Sequence, residues 1–369
     1  MNKSPLNYSM DLDITSARRS LTYDFWILLS VFCLSTFGIA MIYSASQSYD
    51  MALRQCIYFV LGFSSLLLIS FSNFRKMESI YLFCYWPGLI LLLLVLFFSD
   101  SNNNTNRWID LGIFTIQPSE IMRFLIPLSA AAFLSRKPSL KLTDFLIVFI
   151  LTIVPTFLVL LQPDLGTAVI VLLSGILPIL LAGLPWLFVY IGALLVILSM
   201  PLIWISLYEY QKQRIITLFN PEADIYGAGW NIAQSKIAIG SGGFFGKGYL
   251  NGSQSQLNFI PESHSDFIFA VISEEFGLIG VLILFLVYGL LIFRLLSIAM
   301  NNKNRFAKIL AGTLSTILIA YISINICMVV GLLPVVGMPL PFVSQGGTAL
   351  IINCLLYTSP SPRDKRQSR

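Results

Sequence analysis

Residues 261–293 read PESHSDFIFAVISEEFGLIGVLILFLVYGLLIF. The polar start holds the chain's single histidine, His264, and ends at Asp266; an apolar run follows at once. Such runs cross a hydrocarbon core about 30 Å thick once they reach roughly 17 to 25 residues. Unpaired backbone groups cannot face lipid, so the run is expected to be a helix. A carboxylate is thus placed where polar sequence gives way to apolar sequence.

The rest of the chain repeats the pattern. Of 369 residues, 56% are hydrophobic and 11% charged, with a mean hydropathy of +0.80. Water-soluble domains carry about a quarter charged residues, so the fold class is an all-α polytopic membrane protein. Apolar runs lie at 25–43, 54–72, 80–98, 118–135, 143–161, 166–183, 185–205, 266–293, 308–330 and 346–357. About ten transmembrane helices are therefore expected, the last too short for an upright crossing. One membrane domain, 25–357, is expected to follow a cytoplasmic tail, 1–24. The basic, polar tail 358–369 is expected to be foreign to the native protein.

Topology follows from the basic residues of the short loops. One set of loops and tails carries Lys3, Arg18, Arg19, Arg75, Lys76, Arg136, Lys137, Lys141, Arg294, Lys303, Arg305 and Lys308; the opposite short loops carry Arg54 and Arg107. Both termini are expected in the cytoplasm, with the first span a retained anchor. The net charge of +5 is scattered over these loops, so no nucleic acid partner is implied. The five cysteines lie in or beside apolar runs without paired spacing, which gives no metal or disulfide framework.

Two outer segments are long, 99–117 and 206–265, the second falling between helices 7 and 8. Long ordered loops tend to carry function, and this one is expected to fold into short helices against the membrane. Its stretch GSGGFFGKG, 240–248, is glycine-rich, but Ser241 and Gly248 stand where a nucleotide-binding P-loop needs Gly and Ser or Thr. A tight turn is the favoured reading; backbone amides cradling a phosphate are the alternative. QPSEIMRF puts Glu120 and Arg123 on one face of a membrane helix, where they pair structurally or line a polar cavity. Arg107, in NRWIDLG, and Asp164, in QPDLG, are charges at the outer boundary. Asp266 has two readings. It caps the helix that follows, or partial desolvation raises its pKa toward that of a general base, with His264 as a loop hydrogen-bonder or a tuning group.

The long segment GAGWNIAQSKIAIGSGGFFGKGYLNGSQSQLNFIPESHSDFIFAVISEEFGLIG resembles the SEDS family (shape, elongation, division and sporulation). NRWIDLG, QPSE, QPDLGT and GLLPVVGMPLPFVSQGGTAL match it in the same order, and SQSQLNFIP is similar to its rod-shape branch rather than its division branch. The resemblance implies a glycosyltransferase of the bacterial cytoplasmic membrane that polymerises lipid II on the outer face. A class B penicillin-binding protein is the implied transpeptidase partner, within the elongation machinery. It implies Asp266 as the catalytic aspartate, and Glu120, Arg123 and Asp164 as residues lining a central cavity. With a pyrophosphate leaving group, one base plus positive charge suffices, and Arg107, Arg214, Lys236 and Lys247 are the candidate cations. No cofactor is required, and a divalent cation in place of one of them is left open. Two departures stand out: Ser265 where the family commonly has threonine, and Gln345 where an aromatic is expected. A flippase or transporter of lipid-linked precursors is the rival reading, and a scaffold for the partner a third.

Overall fold

The computed structural model describes residues 24–70, 74–98, 107–110, 115–137, 139–220, 224, 227–257 and 259–356. The expected N-terminal tail through residue 23 and the tail 358–369 lie outside the described residues. The bundle is built from α1 (Phe25–Ser46), α2 (Tyr49–Ser70), α3 (Phe74–Phe98), α4 (Pro118–Ser135), α5 (Leu142–Leu161), α6 (Leu165–Leu181) and α7 (Trp186–Ser206). It continues with α11 (Ile268–Asn301), α12 (Arg305–Val330) and α13 (Gly347–Leu356). Short helices α8 (Glu209–Phe219), α9 (Ala228–Gly242) and α10 (Ser253–Gln256) lie between α7 and α11. One antiparallel pair, β1 (Ile109–Asp110) with β2 (Thr115–Ile116), precedes α4.

Each expected apolar run falls on one of the bundle helices. Six of them, α1, α2, α5, α7, α11 and α12, are long and apolar enough to cross a membrane. The protein is a multi-pass membrane protein. α7 has no buried residue at all, and its side chains are apolar almost throughout, as lipid contact on every side requires. α13, with 10 residues, rises only about 15 Å. The main core lies where α11 and α12 pack on each other and on α1, α4 and α6. Helix starts follow local chemistry. Asp24 accepts from Trp26 N, Asn304 from Phe306 N, and Asp164 from Thr167 N, while Pro118 opens α4.

The apolar run that begins after Asp266 is two helices. Gly277, at φ +63° and ψ −160°, breaks α11 into a buried piece, 268–276, and a membrane-spanning piece, 278–301. A break exposes the orphan acceptors of one helix end and the orphan donors of the next. The glycine-rich stretch 240–248 satisfies both. Lys247 N donates to the Glu274 carbonyl at 3.0 Å and Gly248 N to that of Glu275 at 2.9 Å; Leu278 N and Ile279 N donate to the carbonyls of Gly243 (2.9 Å) and Phe244 (3.2 Å). The approach is so close that a Cβ on Gly246 would stand 2.1 Å from the Glu275 carbonyl oxygen. GSGGFFGKG is therefore a splint for a broken helix. Its amides at Gly246, Lys247 and Gly248 all bind carbonyls, so these three are not available to cradle a phosphate.

Candidate functional site

Asp266 lies in a run of turns, 261–267, two residues before the start of α11. The N-cap is Phe267, and no side chain caps the helix. This corrects the cap reading. Phe267 N donates to the Glu262 carbonyl within the turns, and the bond from Ala270 N to the Phe267 carbonyl opens the helix. Among the described residues the Asp266 carboxylate has no hydrogen-bond donor.

The backbone beneath it is fixed instead. Three consecutive carbonyls are bound: His264 O accepts from Gln345 N (3.1 Å), Ser265 O from Ser344 Oγ (2.6 Å), and Asp266 O from Asn325 Nδ2 (2.9 Å). Asn325 also donates to Met338 O at 2.6 Å, tying α12 to the segment 331–346. Ser344 Oγ accepts from Leu340 N, and Gln55 Nε2 donates to Ser344 O. Within this segment Phe342 is buried at φ +66°, a conformation that costs a non-glycine residue about 1–3 kcal/mol and persists only under external support. The Tyr288 hydroxyl bond to the neighbouring Pro341 carbonyl is part of that support. Gly337, at φ +73°, faces the carboxylate: a Cβ there would stand 3.5 Å from Oδ2. Rigid backbone under an unengaged carboxylate is the arrangement a positioned base needs.

Its electrostatics point the same way. Burial raises the Asp266 pKa most, Glu262 and Asp164 add to the rise, and Arg214 opposes it; the net effect lifts the carboxyl from 3.8 to about 6. Glu262 is exposed and accepts from Ser265 Oγ at 2.6 Å. Asp164 links this group to a second one. It accepts from Gln117 Nε2 (3.3 Å) and stands 3.8 Å from Arg107, whose guanidinium also donates to the carbonyls of Gln162 and Pro163. Deeper in the bundle, Glu120 and Arg123 form a buried ion pair. Arg123 donates to Asn353 Oδ1 at 3.0 Å and lies 4.6 Å over the Tyr321 ring, whose hydroxyl donates to Glu120 at 3.4 Å. Arg123, Tyr321 and Asn353 share a narrow cavity with the 339–346 segment, with room for about one water.

The structure thus brings together Asp266, Arg214, Asp164, Arg107, Glu120 and Arg123. It commits one candidate cation elsewhere. Lys247 binds buried Glu274 at 2.6 Å and Ser253 at 2.8 Å, which commits its charge to the splint. Lys236 is exposed on α9, packed over Gly331 at the end of α12. His264 contributes its backbone carbonyl, and no bond to its ring is found among the described residues. Asn325, Ser344 and Glu262 were not read from the sequence as site residues. Asn325 was findable, because a polar side chain within an apolar span marks an internal partner. Among the described residues no three His, Cys, Asp or Glu side chains stand close enough to hold a metal ion together.

A family model described as cell cycle protein (FtsW, RodA, SpoVE) matches residues 21–358. The peptidoglycan glycosyltransferase MrdB of Escherichia coli K12 is 45% identical over 331 residues, covering 88% of this chain and 89% of that protein. The probable peptidoglycan glycosyltransferase FtsW of Coxiella burnetii is 35% identical over 355 residues, covering 91% and 94%. Among solved structures, a chain of a peptidoglycan synthase complex that coordinates polymerization and crosslinking superposes with a TM-score of 0.81 at 28% identity, covering 94% of this chain and 99% of its own. The rod shape determining protein RodA of Thermus thermophilus superposes at 0.71 with 26% identity and the same coverages. The higher identity to MrdB than to FtsW agrees with the rod-shape reading of SQSQLNFIP. With its motifs, fold and nearly the whole chain matched, this protein belongs to the FtsW, RodA and SpoVE family of cell cycle proteins, the SEDS family.

Proposed function

We propose that the chain is a peptidoglycan glycosyltransferase that polymerises lipid II for cell-wall elongation, with Asp266 as general base. The observation that carries the reading is a carboxylate held on fixed backbone, with no protein donor among the described residues and a pKa of about 6. Such a group is mostly ionised near neutral pH yet basic enough to take a proton. The sugar 4-hydroxyl gives its proton to Asp266 as its oxygen forms a bond to the anomeric carbon of the second lipid II. The bond from that carbon to the pyrophosphate oxygen breaks, and the leaving group departs with the electron pair. Arg214, whose charge reaches Asp266, and Arg107, beside Asp164, are the cations best placed to stabilise it. A divalent cation carried on the pyrophosphate would serve the same end.

The reading places the protein in the bacterial cytoplasmic membrane. Two pairs lie at one end of the bundle: Asp24 is paired to Arg294, and Arg305 is bonded to the Lys137 carbonyl. A basic end supports a cytoplasmic face there, with Asp266 on the outer side. The likeness to a complex coordinating polymerization with crosslinking supports a class B penicillin-binding protein as partner. The test is lipid II polymerisation by purified protein with and without that partner, for wild type, Asp266→Ala and Asp266→Asn. Glycan strands from wild type alone are expected. Full polymer from both variants removes Asp266 from the chemistry, and lipid II translocation without polymer from wild type favours a flippase.

A further inference from the structure

The tip of the helix splint carries two phenylalanines left largely uncovered by the described residues: Phe244 is 70% exposed and Phe245 83%. Their height follows from two helices counted separately. The Asp24–Arg294 pair marks the inner polar boundary, because charges do not rest within hydrocarbon without strong cause. Along α11, Leu278 lies 16 residues from Arg294, about 24 Å at 1.5 Å per residue. Along α1, Ala40 lies 16 residues from Asp24, again about 24 Å, and its carbonyl accepts from the Tyr249 hydroxyl at 2.9 Å. The carbonyls of Gly243 and Phe244 bind the amides of Leu278 and Ile279, so the tip sits at that level. A hydrocarbon core about 30 Å thick extends beyond it.

Irregular backbone survives in lipid only where its polar groups are satisfied within the protein. Around the tip, five such groups are satisfied. Gly243 and Phe244 give their carbonyls to α11, Gly246, Lys247 and Gly248 give their amides, and the Lys247 charge is paired with Glu274. The exposed residues next to the tip, Leu278, Ile279, Leu282 and Ile283, form the start of the lipid-facing band of α11. We propose that Phe244 and Phe245 are a membrane anchor of the outer loop, inserted among the acyl chains of the outer leaflet. The anchor pins the splint, and through it the buried helix 268–276 that carries Asp266 at its amino end. The inference stands independently of the catalytic reading.

The test is photo-cross-linking in the full-length protein, with p-benzoylphenylalanine replacing Phe245 and, separately, Phe244. The protein is reconstituted in phosphatidylethanolamine and phosphatidylglycerol vesicles with tritiated acyl chains. Leu282 serves as the lipid-facing control and exposed Gln213 on α8 as the water-facing one. Tritium on the protein band at the level of the Leu282 control, from both tip positions, is expected. Label at the Gln213 level, or adducts to protein alone, overturns the proposal.

Discussion

Replacing Asp266 by asparagine keeps the shape of the side chain and removes its charge, and the structure predicts opposite effects on activity and stability. The surroundings lift the carboxyl from 3.8 to about 6. At 1.36 kcal/mol for each pH unit, holding the ionised form in place costs the folded state up to about 3 kcal/mol, with solvent at the partly exposed carboxylate reducing that figure. A carboxyl whose folded pKa exceeds its unfolded value binds its proton more tightly when folded. Its contribution is therefore neutral below about pH 4, and becomes destabilising as pH rises through about 6. Asp266→Asn should accordingly unfold at a higher temperature than wild type at pH 8, with the gap closing as pH falls toward 4. Activity should fall by about 10²–10⁴, the usual contribution of a general base. Thermal unfolding in detergent across that pH range, beside lipid II polymerisation, measures both. A variant less stable than wild type at pH 8, a stability gap independent of pH, or wild-type polymerisation would refute the reasoning.

Other consequences follow from the neighbours. Wild-type polymerisation should lose activity on acidification with a midpoint near pH 6; Glu262→Gln should move that midpoint down and Arg214→Gln up, since their charges act on Asp266 in opposite senses. Arg123→Leu leaves buried Glu120 without its cation, and should cost about 3–5 kcal/mol of stability, read as loss of folded protein in detergent. Lys247→Met strands Glu274 in the same way, so its activity loss should track loss of folded protein, whereas Arg214→Gln should lower the rate of protein that remains folded. Gly246→Ala drives a Cβ into the Glu275 carbonyl at a φ of +77° and should cost about 1–3 kcal/mol or more, seen as a lower unfolding temperature.

The sequence alone determined the fold class, because lipid imposes the same demand on every apolar run: close the backbone hydrogen bonds locally, as a helix. Charge counting in the loops likewise assigned a basic side, and the spacing of Glu120 and Arg123 brought them to one helical face. The order of the motifs gave the family. What local pattern could not decide was which charges meet. Asp266, Asp164 and Arg214 are far apart in sequence, and only packing sets their mutual field and so the basicity of Asp266. Lys247 and Arg214 are equivalent as loop cations in sequence, yet one is tied to a buried glutamate and the other acts on Asp266. The break at Gly277 was hidden for a similar reason. Hydropathy measures composition, and an apolar helix buried in protein has the same composition as one buried in lipid. Its two ends are held by a glycine stretch some thirty residues earlier, a partner that no local rule connects to it.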